Sequence, residues 1–181
     1  MSKLIIICGL PGSGKTTLAR ELSKKTKVAL ISKDSIKEKL YESMNLSTLE
    51  DSKNIGIPAF ELMIELTENQ LVGGVDVIME APLKFPEDYQ LFKKWRDEYG
   101  LELFSVICSV DSVERKRRFR DRERHQAHHD FQREIDEKED GYDYATMPGK
   151  QIRIVTNKPT TELIEEIMEK IKENKSIPVK G

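Results

Sequence analysis

Cysteine is scarce in this chain: Cys8 and Cys108 are the two present among 181 residues, and no CxxC pair exists. No disulfide framework can be built from them, and both fall in apolar runs, where they read as small buried hydrophobes. Long apolar runs are missing as well. The run from Leu4 to Cys8 is far short of the ~18–20 residues that cross a bilayer. The expectation is a soluble chain of a reducing compartment, cytoplasmic, with no membrane span and no signal peptide. Charge of one sign is not in excess either: 30 basic residues face 32 acidic ones, a formal net of −2. That balance excludes a uniformly basic nucleic-acid binder. Internal repeats and low-complexity linkers are absent from the sequence, so one domain over residues 1–181 is expected.

Charge is nevertheless uneven. From Arg115 to Arg124 stand seven basic and two acidic residues, and from Asp130 to Asp140 six acidic and two basic. A basic stripe thus precedes an acidic stretch.

Short apolar runs alternate with longer helical patterns, the signature of a parallel sheet covered on both faces. Strands are expected over residues 3–8, 28–32, 75–80, 103–109 and 151–156, several of them β-branched. A helix starts at Lys15 with Leu18, Ala19 and Leu22 inward, and a second runs from Asp34 to about Ser43 with Ile36 and Leu40 inward. A third begins near Pro58, carries Leu62, Ile64, Leu66 and Leu71, and ends at Gly73 and Gly74. A fourth spans residues 86–99, closed by Gly100, with Leu91, Phe92 and Trp95 as core. Asp111 or Ser112 caps a fifth, and Thr160 or Thr161 the last. The weakly periodic stretch within about 118–150 reads as an inserted lid.

Gly9-Leu10-Pro11-Gly12-Ser13-Gly14-Lys15-Thr16 matches G-x-x-x-x-G-K-[ST] at every fixed position, between a strand and a helix as that motif requires. Glycines let backbone N–H groups curl around a phosphate chain, and the helix beginning at Lys15 adds its positive dipole end. Gly9, Gly12, Ser13, Gly14, Lys15, Thr16 and Thr17 are therefore the expected nucleotide-binding residues. Lys15 suits the β and γ phosphates, and the Thr16 hydroxyl suits Mg²⁺. A guanine-reading motif fails: Asn157-Lys158-Pro159-Thr160 lacks the needed carboxylate, and Asp97-Glu98-Tyr99-Gly100 is a helix end.

Phosphoryl transfer needs an acceptor-side base, a metal-side carboxylate and cations near the γ-phosphate. Asp34 follows the second strand directly, so it should share the crevice with Lys15 at the carboxyl ends of the strands; an N-cap role is its alternative. Glu80 ends the third strand and is the candidate on the metal side; a hydrogen-bonded strand terminus is its alternative. Arg115, Arg118 and Arg122 share one helix face, and guanidinium groups suit a transferring phosphoryl group. His125, His128 and His129 beside Asp130 could ligate a metal, or belong to a lid.

With these residues in view, the sequence resembles the P-loop kinases that include phage-type polynucleotide 5′-kinases, zeta toxins and chloramphenicol phosphotransferase. It is most similar to the polynucleotide 5′-kinase domain. The likeness runs in order through Gly9–Thr17, Ser32-Lys33-Asp34-Ser35-Ile36-Lys37, Gly74-Val75 to Glu80, Pro86 to Gly100, and Val110 to Arg122. It implies an α/β fold: a three-layer P-loop NTPase, nucleoside-monophosphate-kinase-like, with a five-stranded parallel sheet and a lid. It implies ATP and Mg²⁺ as cofactors, with Asp34 as general base and Lys37 on an acceptor phosphate, where the family more often has Arg. Arg122, with Arg118 one turn earlier, falls on the lid arginine that contacts ATP, and Glu80 on a position where the family typically has Asp. The activity implied is transfer of the γ-phosphate to a hydroxyl, most like a polynucleotide 5′-hydroxyl. A small metabolite, nucleoside or antibiotic acceptor is the alternative, and an ATP-binding regulatory module without an acceptor is a further one.

Overall fold

A computed structural model describes residues 1–123, 125–128 and 144–173. Its centre is a parallel five-stranded sheet of β1 (Lys3–Gly9), β2 (Ala29–Ser32), β3 (Val77–Glu80), β4 (Glu102–Ser109) and β5 (Lys150–Val155), in the order β2-β3-β1-β4-β5. Parallel neighbours need crossovers, and helices supply them: α1 (Lys15–Thr26), α2 (Lys33–Ser43), α3 (Leu49–Asn54), α4 (Gly56–Val72), α5 (Tyr89–Tyr99) and α6 (Ser112–Asp121), with α7 (Thr160–Glu173) following the last strand.

The period-2 alternation of β1 splits the core in two. Leu4, Ile6 and Cys8 face α4 and α5, where Met63, Leu71, Phe92 and Trp95 complete one cluster. Ile5 and Ile7 face the other side, packed with Leu18 and Leu22 of α1 and with Leu163 and Ile167 of α7. Trp95 is fully buried, and its indole N–H donates to Glu68 at 2.8 Å, so its polar atom is satisfied. Burial pushes the thiol pKa values of both Cys8 and Cys108 up, that of Cys108 to about 12, consistent with inert core thiols.

Register brings the site together. In the β1–β3 ladder Ile7 is level with Glu80, and in the β2–β3 ladder Ser32 is level with Glu80. Three strands therefore come side by side at one carboxylate, with β1 lying between β3 and β4.

Three sequence expectations need correction. The third helix begins at Gly56 rather than near Pro58; Ala59, Met63, Thr67 and Leu71 are its buried residues and Ile64 packs against the core, while Leu62 and Leu66 remain 39% and 46% exposed. Thr67 is tolerated on the core side because its hydroxyl donates to the Met63 carbonyl at 2.7 Å. The short α3 was not foreseen, although Thr48 and Asp51 form the reciprocal capping box that starts it. The strand expected from residue 75 begins at Val77, because Val75 is half exposed and Asp76 is engaged by the Lys3 backbone N–H at 2.8 Å. Much of the expected lid, including His129 and Asp130, lies outside the described residues.

The phase of α4 is testable. Met63→Ala should cost about 2–5 kcal/mol in urea unfolding, whereas Leu66→Ala should cost under about 1 kcal/mol. Equal losses would contradict this phase.

Candidate active site

The loop between β1 and α1 owes its shape to glycine. Gly12 and Gly14 both have φ +83°, and a Cβ on Gly12 would lie 2.7 Å from the Arg115 carbonyl oxygen. Gly14 serves as the N-cap of α1, so the positive end of that helix opens onto the loop. The turn is closed by the Ser13 N–H, which donates to the Leu10 carbonyl at 3.0 Å. The Ser13 hydroxyl borders a small cavity behind the loop rather than the large one in front of it.

Two arginines hold the loop from behind. Arg115 is buried and donates from Nη1 to the Pro11 carbonyl at 3.3 Å. Arg118 donates to the Thr156 hydroxyl at 3.0 Å and to its carbonyl at 2.8 Å, while Thr156 in turn donates to the Ser13 carbonyl at 2.8 Å. The Glu114 carboxylate, accepting from Arg118 at 2.7 Å, completes that clamp. Arg118 and Arg122 were expected together, and the structure separates them. Helix α6 ends at Asp121, Arg122 takes an extended conformation with ψ 124°, and its side chain enters the cavity that Arg118 does not line.

That cavity has a volume of about 740 Å³ and brings Lys15, Asp34, Lys37 and Arg122 to one space. Buried beside Lys15, Glu80 is 1% exposed and accepts from the Thr16 hydroxyl at 3.1 Å and from the Ser32 hydroxyl at 2.6 Å. The Lys15 ammonium is 4.0 Å from the same carboxylate. Ser32 was not singled out from the sequence as a site residue. Its signal is its position at the end of a strand level with Glu80, which only the register reveals.

Asp34 is free of the capping role considered as its alternative, because Ser32 is the N-cap of α2. Burial disfavours its charge, but Lys15, His128, Lys33 and Arg122 outweigh that and hold the carboxyl below the ordinary aspartate value. Lys37 donates to Ser52 at 2.9 Å, and Ser52 donates to the Ala127 carbonyl at 2.6 Å.

Residues 125–128 fold over this edge of the cavity. Ala127 is fully buried with Tyr41 and Ile55, and its N–H donates to His125 Nδ1 at 3.1 Å. With Nδ1 accepting, Nε2 of a neutral His125 carries the hydrogen, and it faces Glu42 Oε1 at 3.2 Å. His128 Nε2 is 2.9 Å from Glu38 Oε1. Both described histidines thus pair with α2, and among the described residues no cluster of three or more metal-ligating side chains occurs.

The comparisons follow this geometry. A family model described as an AAA domain matches residues 4–139, three quarters of the chain. The chain belongs to that family. A cytidylate kinase of Pyrobaculum neutrophilum is 32% identical over 81 residues, so the match spans less than half of either protein, 44% of each. A protein of Chloroflexus aurantiacus assigned as a kinase shares the fold with a TM-score of 0.76 at 19% identity, over 93% of this chain and 97% of that one. The APS kinase CysC of Mycobacterium tuberculosis, in complex with AMPPNP and APS, superposes with a TM-score of 0.54 at 16% identity, over 94% and 98% of the two chains. The fold is that of P-loop kinases. No helix of the described residues is long and apolar enough to cross a membrane.

The charge balance at Asp34 gives a direct test. Its side-chain carboxyl should titrate below the ordinary aspartate range in a ¹³C NMR titration, and Arg122→Ala should move it upward, since a neighbouring cation is lost. A titration midpoint that ignores Arg122 would separate the two groups.

Proposed function

We propose that this protein is an ATP-dependent kinase that transfers the γ-phosphate to the hydroxyl of a small acceptor. The observation carrying this reading is one cavity that holds both the phosphate-loop lysine and an ionised, uncapped aspartate. The cradle fits a nucleotide, since Gly12 and Gly14 hold the left-handed backbone that curls the loop at the positive end of α1. The hydroxyl of Thr16 and the carboxylate of Glu80, hard oxygen donors side by side, fit Mg²⁺. ATP would supply the phosphoryl group, and Mg²⁺ would offset the charge of its phosphates.

Within that frame Lys15 neutralises the β and γ phosphates, and Glu80 keeps Thr16 and Lys15 in position. Asp34 accepts the acceptor's hydroxyl proton as the oxygen forms its bond to phosphorus and the bond to ADP breaks. Arg122 stabilises the charge spread over the transferring group. Arg118, fixed on Thr156, acts as the brace of the loop.

A small acceptor is favoured over a polynucleotide because the basic stripe of α6 is internally spent. Arg117 bonds Glu114 and Asp121, Arg118 bonds Glu114 and Thr156, and Arg115 is buried on Pro11. Hydrogen bonds from Arg117 and Arg118 hold the Glu114 carboxyl down at about 2, so these pairs persist across the physiological range. A 5′-hydroxyl nucleic-acid end stays as the second reading, because several lysines border the acceptor side of the cavity.

Label transfer from γ-³²P-ATP with Mg²⁺ tests the reading, offered a panel of small hydroxyl compounds and a 5′-hydroxyl oligonucleotide. Asp34→Asn should lower transfer about 10²–10⁴-fold while ATP affinity stays. Undiminished transfer in that variant would remove Asp34 from the chemistry. Label on the oligonucleotide with a steep salt dependence would establish the second reading.

A further inference from the structure

The cavity that holds Asp34 also has lining of a different character. Leu49, Ile57 and Phe85 border it together with Phe60, and the first three are 48%, 71% and 68% exposed. Single exposed apolar side chains are ordinary, but these come from α3, from the start of α4 and from the loop after β3, and they meet at one opening.

The loop after β3 is held in an unfavourable conformation. Leu83 has φ +48°, in the left-handed region that a branched side chain avoids, although its side chain is buried. Two tyrosines pin the turn: Tyr89 donates to the Leu83 carbonyl at 2.9 Å, and Tyr144 donates to the Pro82 carbonyl at 2.6 Å. The next two residues, Lys84 and Phe85, both border the cavity. Strain held by two outside hydrogen bonds, immediately before residues at a cavity, points to presentation of those residues.

Lys53 supplies the remaining element. Several surface lysines are paired, Lys24 with Glu21 and Lys39 with Glu42 among them. Lys53 borders the cavity and makes no ion pair or hydrogen bond among the described residues. A cation beside an apolar wall suits a ligand that combines an apolar body with an anionic group.

We infer that the acceptor is a small hydroxylated acid: its apolar or aromatic body rests on Leu49, Ile57, Phe60 and Phe85, its carboxylate or phosphate meets Lys53 and Lys84, and its hydroxyl is directed at Asp34. This rests on the kinase reading and narrows its substrate class. The acidic group is unchanged in the reaction. The acceptor oxygen forms the new bond to the γ-phosphorus, ADP departs, and the hydroxyl proton passes to Asp34.

Matched probes test the acid requirement. The pairs are 4-(hydroxymethyl)benzoate against 4-(hydroxymethyl)benzamide, and thymidine 3′-phosphate against thymidine. Each is titrated calorimetrically into the full chain with AMPPNP and Mg²⁺ present, and each is assayed for ADP release with ATP. The charged member of at least one pair should bind about tenfold or more tightly than its neutral partner, and should be the better acceptor by kcat/KM. Which pair discriminates more distinguishes a carboxylate from a phosphate. Lys53→Ala, at an exposed position, should reduce that ratio severalfold, while Phe85→Ser should weaken both members of a pair alike. Equal binding within both pairs, or a ratio unmoved by Lys53→Ala, would overturn the acceptor class. Failure of AMPPNP itself to bind would instead strike the kinase reading.

Discussion

A buried carboxylate governs this molecule. Glu80 sits where β1, β2 and β3 end, and both its oxygens are taken, one by Thr16 and one by Ser32. An uncompensated charge there would cost several kcal/mol, so the sequence must bring donors to it from other elements. Those donors are Thr16 of α1, which follows the phosphate-loop lysine, and Ser32, the N-cap of the helix carrying Asp34. One carboxylate therefore joins the phosphate loop to the start of α2.

Around that point the parts are rigid for different reasons. The loop is fixed by glycine geometry from within, and by Arg115 and the Arg118–Thr156 clamp from behind. The turn before Lys84 and Phe85 is fixed by two tyrosine hydroxyls. Residues 125–128 rest on α2 through histidine–glutamate pairs and one buried alanine. Phosphoryl transfer asks for positioning and fixed charge more than for covalent chemistry, and these supports provide both.

The legible parts of the sequence were those encoded locally. The phosphate loop is a contiguous pattern, the strands are short apolar runs, and Asp34 and Glu80 follow strands whose ends must share a crevice. Features that depend on tertiary packing were hidden. The buried face of α4 includes Thr67, which carries no apolar signal. The equal helical spacing of Arg118 and Arg122 lost its meaning once α6 stopped between them, sending one guanidinium behind the loop and the other into the cavity. Lys53, Lys84 and Phe85 are unremarkable in sequence, and only the meeting of α3, α4 and the loop after β3 makes them one wall.

The central claim is that Glu80 organises a metal–nucleotide site. Its most direct measurement is the affinity for ATP with and without Mg²⁺, in the unaltered chain and in Glu80→Gln, which keeps the shape and removes the charge. Binding in the unaltered chain should tighten when Mg²⁺ is added, and that gain should largely vanish in the variant while binding without Mg²⁺ persists. A gain of the same size in both proteins would contradict the account.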